Sequence, residues 1–359
     1  MAGGLAVVLL AAVAACGVGA SDPPSGMQDA GAADKPRPED AKPGAVTPAT
    51  TAAGEVAGPA GDGGDHGAAT TVPAGVPTDE PASSDPAPGG DELVLPDAES
   101  ATVPTLTEAP RAGRSVAALA AQIERAESVV RDPTSSEARV ARQAQRQQVA
   151  YRELALHPSW LDPVLDALPA DLRTDALHQV AARQEFLDMA SEASLAPGPP
   201  ADWRVEAPAP AADLLRWYRG AGETYGVEWE VLAAINLVET GLGRIDADSV
   251  AGAQGPMQFM PATWARWGNG DVHDPHHAIY GAARYLAASG AAEGRLTDAL
   301  FAYNNDNRYV RAVNLYAGLL RRTPLLFRGL YHWQVYYRSA AGDLLLPEGY
   351  PTVPAAPRP

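Results

Sequence analysis

A glutamate at the end of an apolar helix is the first candidate for chemistry in this sequence. Glu239 closes a helix predicted over 227–240 and shares a face with Leu232 and Ile235. Partial burial raises the pKa of a carboxyl group, and the negative end of a helix dipole raises it as well. Because a general acid that works near neutral pH needs a raised pKa, Glu239 is a candidate proton donor. Position alone, however, favours an exposed glutamate at a helix end.

The segment 249–261, which follows Glu239, has the composition of a ligand-binding loop. It is dense in glycine and proline, and glycine lets the backbone approach a ligand closely. It carries polar side chains at Ser249, Gln254 and Gln258, and the tryptophans that follow suit stacking on sugar rings. The segment therefore predicts a loop that approaches a ligand closely, followed by aromatic side chains suited to sugar rings.

Three short motifs occur in order along the second half of the chain: Glu239-Thr-Gly, Ser249 through Gln258, and Ala302-Tyr303-Asn304. Together they resemble the lytic transglycosylase domain of the soluble lytic transglycosylase and goose-type lysozyme superfamily, in an actinobacterial form. The resemblance covers about residues 213–321. It implies an all-α, lysozyme-like fold and cleavage of the MurNAc–GlcNAc β-1,4 bond of peptidoglycan without a cofactor.

The resemblance also implies roles for single residues. Glu239 matches the one catalytic acid of the family. Thr240 stands where serine is usual, and Asn305-Asp306 replaces the Ala-Gly that often follows the Tyr-Asn pair. The implied substrate-binding residues are Ser249, Gln254, Met257, Gln258, Met260, Tyr303 and Asn304.

Three functions stay open on the residues alone. In a lytic transglycosylase, Glu239 acts as both acid and base, and the C6 hydroxyl of the sugar attacks C1 to form 1,6-anhydro-MurNAc. A muramidase needs a second carboxylate to position water, for which Asp246 and Asp248 are the candidates. The third function is that of a non-catalytic lipoprotein that only binds peptidoglycan.

No metal site is predicted. The chain has one cysteine, Cys16, which excludes a multi-cysteine metal site. The histidines of the segment 273–277 surround an Asp-Pro pair that is typical of a helix start, and neighbouring helical residues point in different directions. Asn269, Asp271 and Asp274 lack the EF-hand pattern.

Composition divides the chain into segments of different kinds. The last part is rich in aromatic residues and helical periodicity, whereas no aromatic residue precedes Tyr151. The predicted segments are a lipoprotein signal peptide at 1–16, a disordered tether at 17–111, a helical domain at 112–195, a linker at 196–212, the lytic transglycosylase domain at 213–350 and a disordered tail at 351–359.

The first part of the chain predicts export and a lipid anchor. An apolar run over 5–15 is too short to span a bilayer and ends at Cys16, as in bacterial signal peptides whose cysteine is lipidated. The tether carries most of the formal net charge of −17 and cannot bury enough apolar area to fold. We expect an extracytoplasmic monomer, anchored through Cys16 or secreted into the cell wall, with no basic surface for nucleic acid.

Hydrophobic periodicity predicts the positions of the main elements. A helix runs over 116–130, and the residues 134–137 offer a capping box for the next one. A last amphipathic helix is predicted over 309–320. A short C-terminal β-hairpin is predicted within 333–346.

Overall fold

The computed structural model describes residues 93, 95, 108–190 and 195–359, all of which belong to one compact unit. The predicted signal peptide, Cys16 and most of the tether lie outside the described residues. Helices dominate the described part of the chain, which confirms the predicted all-α fold. The helices are α1 (Val116–Val130), α2 (Glu137–Leu156), α3 (Leu161–Ala167), α4 (Ala170–Met189), α5 (Ala211–Tyr225), α6 (Trp229–Thr240), α7 (Pro261–Trp267), α8 (Pro275–Ala288), α9 (Leu296–Tyr303), α10 (Asn307–Arg322) and α11 (Leu326–Tyr331).

Short strands in the same described ranges form two small antiparallel sheets. In one, β1 pairs with β2; in the other, β4 lies between β3 and β5. The β3–β4 pair is the hairpin predicted from the sequence. The structure differs from the predicted disordered tail, because β5 pairs with Leu344 and Leu345 of β4. The strands are β1 (Arg204–Val205), β2 (Ile245–Asp246), β3 (Val335–Ser339), β4 (Gly342–Leu346) and β5 (Ala356–Pro357).

Helix α6 occupies the centre of the core. Every residue from Val231 to Thr240 is buried, and α5, α8 and α10 pack around the helix. A helix that is apolar on most sides is stable only when it is enclosed in this way. Gly241 ends α6 in the left-handed conformation, at φ 66°, which glycine adopts without a Cβ clash. The last turn of α6 is therefore held inside the protein.

The capping box predicted at 134–137 does not form. Helix α2 does begin at Glu137, but Ser136 makes no side-chain cap hydrogen bond. The carboxylate of Glu137 instead accepts a hydrogen bond from Arg328 Nε at 2.8 Å and lies 3.0 Å from His332 Nε2. Because charge-assisted hydrogen bonds are stronger than neutral ones, Glu137 joins α2 to α11 instead of turning back on its own helix.

The four N-terminal helices share a core with the helices that follow them. Val130 of α1, Ala144 of α2 and Phe186 of α4 belong to the same buried apolar cluster as Leu232 and Ile235 of α6. A second, smaller cluster lies among α1–α4. The predicted domain boundary at 195 stays a prediction, but apolar packing is continuous across it.

We predict that Phe186→Ala lowers the free energy of unfolding by about 3–5 kcal/mol, because it leaves a cavity in the shared core. Calorimetry of the full chain should show one cooperative transition at a lower temperature, since the two groups of helices unfold together. Leu177→Ala on the exposed side of α4 is the matched control, and it should change stability by about 0.5 kcal/mol or less. Two separate transitions, only one of them shifted, would contradict the prediction.

Candidate active site

The carboxyl group of Glu239 is buried without a counter-charge. Glu239 lies in the last turn of α6 with 4% of its surface exposed. Its Oε1 accepts a hydrogen bond from the hydroxyl of Tyr309 at 2.8 Å, and its Oε2 has no hydrogen-bond partner among the described residues. Burial raises the pKa of Glu239 to about 8, although the Tyr309 hydrogen bond acts in the opposite direction. The group therefore holds a proton at neutral pH, as a general acid must.

Two tyrosines form the wall beside this carboxyl group. Tyr309 stands at the start of α10 and Tyr303 at the end of α9, with parallel rings whose centroids are 6.5 Å apart. The Tyr303 hydroxyl donates a hydrogen bond to the carbonyl of Met257 at 2.6 Å. Burial raises the pKa of both phenols well above the usual value, so both remain hydrogen-bond donors. Tyr303 thus connects the Glu239 pocket to the segment 249–261.

Sequence reasoning missed Tyr309. The residue fits the apolar face of α10, and a tyrosine on such a face is usually a core residue. The available signal was a single phenol placed six residues after Tyr303, on the helix that begins directly after the Tyr-Asn motif. Only the packing of α10 against α6 shows that its hydroxyl reaches Glu239.

The segment 249–261 is fixed to α6 through one carbonyl. The carbonyl oxygen of Pro256 accepts hydrogen bonds from Thr240 Oγ1 at 2.6 Å and Asn236 Nδ2 at 2.8 Å. Gly255 is needed next to it, because a Cβ there would lie 2.0 Å from the carbonyl oxygen of Val272 and its φ is +70°. The threonine that replaces the usual serine therefore keeps a hydroxyl that holds the loop.

Three predicted substrate-binding side chains hold this loop in shape. Ser249 Oγ accepts a hydrogen bond from the amide of Ala253 at 2.9 Å. Gln254 donates to the carboxylate of Asp248 at 3.3 Å. Gln258 adopts a φ of +51° and donates to the carbonyl of Gly255 at 2.9 Å. Such strained backbone persists only where surrounding contacts impose it, and it clusters at functional sites.

The other predicted substrate-binding residues lie in the segment 249–261 or directly after α9. Met257 is fully buried in the main core, and Met260 is the half-buried residue that precedes α7. Asn304 is buried directly after α9, beside Tyr303. Tyr309 contacts Glu239 through its hydroxyl and stacks on the Tyr303 ring, and Tyr303 is bonded to the Met257 carbonyl. The structure thus brings Glu239, Tyr303 and Met257 together. The binding roles of all these residues stay predictions.

The two aspartates considered as a second carboxylate lie on the surface. Asp246 is exposed on β2, where it pairs with Arg204 of β1 through the backbone, and Asp248 is exposed two residues later. The carboxylate of Asp248 accepts the hydrogen bond from Gln254. Neither carboxylate shares a described hydrogen bond with Glu239.

The histidine segment forms the predicted helix start. Asp274 Oδ1 accepts a hydrogen bond from the amide of His277 at 3.0 Å and thereby caps α8. His277 Nδ1 in turn accepts from the amide of Asp271 at 3.2 Å. One ligand atom each from Asp274, His276 and His277 lies within 4.8 Å of the others. The contacts described here are those of a capped helix.

The comparisons with known proteins concern the part of the chain that contains this site. Residues 217–320 match the family model of the transglycosylase SLT domain. A 148-residue stretch is 30% identical to membrane-bound lytic murein transglycosylase F of Thiobacillus denitrificans. The match covers 36% of this chain and 31% of that relative, so the chain spans about a third of the relative's length. No solved structure matches significantly. The predicted resemblance to lytic transglycosylases is confirmed.

Among the residues that the structure describes, every helix is too short or too polar to cross a bilayer. Cys16, the predicted lipidation site, lies outside the described residues.

We predict that Glu239→Gln stabilises the protein, and that the gain grows with pH. The pKa of Glu239 is higher in the folded chain, about 8, than its ordinary value of 4.5, so the folded state binds this proton more tightly. Wild-type stability therefore falls relative to the variant between about pH 5 and 8, by at most about 1.4 kcal/mol per pH unit.

Thermal unfolding of both proteins across this pH range measures the effect. Glu223→Gln, on the exposed side of α5, serves as a control for the loss of one carboxylate. A stability difference between wild type and Glu239→Gln that stays constant with pH would show that the carboxyl group is not held protonated.

Proposed function

We propose that this chain, whose residues 217–320 match the transglycosylase SLT domain, is a peptidoglycan lytic transglycosylase that uses Glu239 as its single general acid and base. The observation that carries the proposal is the carboxyl group of Glu239, buried within the matched segment. One of its oxygens is bonded to Tyr309, and the other has no partner among the described residues.

In the first step, protonated Glu239 gives its proton to the oxygen of the MurNAc–GlcNAc β-1,4 bond. The bond between C1 and this oxygen breaks, GlcNAc leaves as the alcohol, and the N-acetyl group of MurNAc stabilises the positive charge at C1. A raised pKa supports this step, because the acid must still hold its proton at the working pH.

In the second step, ionised Glu239 takes the proton of the C6 hydroxyl of MurNAc while the C6 oxygen bonds to C1. The product is 1,6-anhydro-MurNAc, no water is consumed, and Glu239 is protonated again. One carboxyl group suffices because the nucleophile belongs to the substrate and is present at high effective molarity. The Tyr309 hydroxyl donates to the carboxylate between the two steps and stabilises its charge.

We further propose that the enzyme works outside the cytoplasm, held through a lipid on Cys16 or released into the cell wall. The apolar run that ends at Cys16 supports this, and mass spectrometry of the mature N-terminus would identify the modified cysteine. The predicted tether would give the catalytic part reach from the membrane.

Digestion of purified peptidoglycan with the full chain tests the reaction. We expect products that carry a non-reducible 1,6-anhydro end and are lighter than hydrolysis products by one water. Glu239→Gln should reduce the rate by about 10²–10⁴-fold while binding to insoluble peptidoglycan persists. Asp246→Asn and Asp248→Asn should remain active, since neither carboxylate takes part.

Two other results of this digestion would identify the alternative functions. Reducible MurNAc ends, together with inactive Asp246→Asn or Asp248→Asn, would identify a muramidase. Binding without any cleavage by the folded wild-type chain would identify a glycan-binding protein.

A second prediction concerns Tyr309 and the pH profile of this activity. Its hydrogen bond favours ionised Glu239, so Tyr309→Phe should raise the pKa of Glu239 further. The fall in activity at alkaline pH should then move upward by about one pH unit, with a lower maximal rate. Tyr316→Phe removes a buried hydroxyl two turns later on α10 and should leave the profile in place. A lower rate with an unchanged profile would mean that Tyr309 only supports the fold.

A further inference from the structure

A second group of charges is buried far from Glu239 along the sequence. Arg152 of α2, Arg183 of α4 and Arg358 next to β5 surround the carboxylate of Asp343 on β4. Arg152 Nη2 lies 2.6 Å from Asp343 Oδ2, Arg358 Nε 3.5 Å and Arg183 Nη2 3.7 Å. Arg358 also pairs with Glu153 at 2.8 Å. The five side chains carry three positive charges and two negative charges, so the group has a net charge of +1.

Arg183 makes no hydrogen bond within this group. The side chain is 6% exposed, and none of its three guanidinium nitrogens has a hydrogen-bond partner among the described residues. Its separation of 3.7 Å from Asp343 exceeds hydrogen-bond length. Burial, with the nearby charge of Arg152, lowers the pKa of Arg183 well below its usual value. A buried guanidinium nonetheless stays charged at neutral pH and needs an acceptor.

Gln179, one turn earlier on α4, also lacks hydrogen-bond partners for its side chain. Its side chain is almost fully buried, and neither its amide nitrogen nor its amide oxygen has a described hydrogen-bond partner. Gln179 and Arg183 both line a small cavity, together with Tyr316 of α10 and Trp333. Two side chains with unpartnered donors therefore line the same small cavity, beside a group of side chains whose net charge is positive.

We propose that this cavity binds one small monovalent inorganic anion of the chloride class, which accepts hydrogen bonds from Arg183 and Gln179. A charge of −1 balances the net charge of the group. Water could accept the same hydrogen bonds but would leave the charge uncompensated, and the cavity is too small for a peptide or sugar carboxylate. Because its walls come from α2, α4 and α10, the bound anion is a structural ligand of the folded chain.

Thermal unfolding of the full chain in chloride tests the proposal, with gluconate replacing chloride at constant ionic strength. We expect the midpoint to rise by about 3–5 °C for each tenfold increase in chloride above the dissociation constant. Bromide should reproduce the effect. Arg183→Met should abolish it, and Gln179→Met should reduce it.

The matched control is Arg311→Met. Arg311 lies on the same α4–α10 interface, but it is exposed and paired with Glu185. This variant should keep the chloride dependence of the wild type. Equal chloride dependence in Arg183→Met and Arg311→Met would reflect a general salt effect and would overturn the proposal, as would a wild-type midpoint that does not change with chloride.

A second measurement decides the question even if Arg183→Met fails to fold. In crystals of the wild-type chain grown with bromide, we expect an anomalous peak within hydrogen-bond distance of the Arg183 guanidinium group. A water molecule at that position, without an anomalous signal, would overturn the proposal.

Discussion

The proposed chemistry depends on keeping one carboxyl group inside the protein without a cation beside it. An unpaired Glu239 is tolerated because it stays protonated, and it stays protonated because α6 is enclosed by α5, α8 and α10. The apolar composition of α6 is thus a requirement of the proposed chemistry as much as of the fold. Partial exposure of its last turn would restore an ordinary pKa and remove the proton that the proposed reaction needs.

The same helix also places the loop that is proposed to hold the substrate. Asn236 and Thr240 bind the Pro256 carbonyl from inside the core, and Tyr303 binds the next carbonyl, that of Met257. The loop is therefore fixed by its backbone at consecutive residues, while Ser249 and Gln258 hold its curvature. This arrangement sets the distance between loop and acid through short hydrogen bonds to rigid helices, which suits a site that must position one sugar ring.

The sequence was sufficient for the helical fold and the C-terminal hairpin, because both follow from local periodicity. It left the burial of Glu239 open, since the same position fits an exposed glutamate at a helix end. It was insufficient wherever a contact joins distant residues. The predicted capping box at Glu137 does not form, because the partner that Glu137 binds, Arg328, is about 190 positions away in the sequence. The role of Tyr309 does not follow from the sequence, because its hydroxyl meets Glu239 only after α10 packs on α6. The buried arginine group depends on a strand near the end of the chain that periodicity does not connect to α2 or α4.

Helix α10 contributes a side chain to each of the two buried polar sites. Tyr309 near its start touches the acid, and Tyr316, about 10 Å further along the axis, forms part of the wall of the arginine-lined cavity. Because one helix supplies both tyrosines, a substitution that breaks α10, such as a proline near its middle, would disrupt both sites at once.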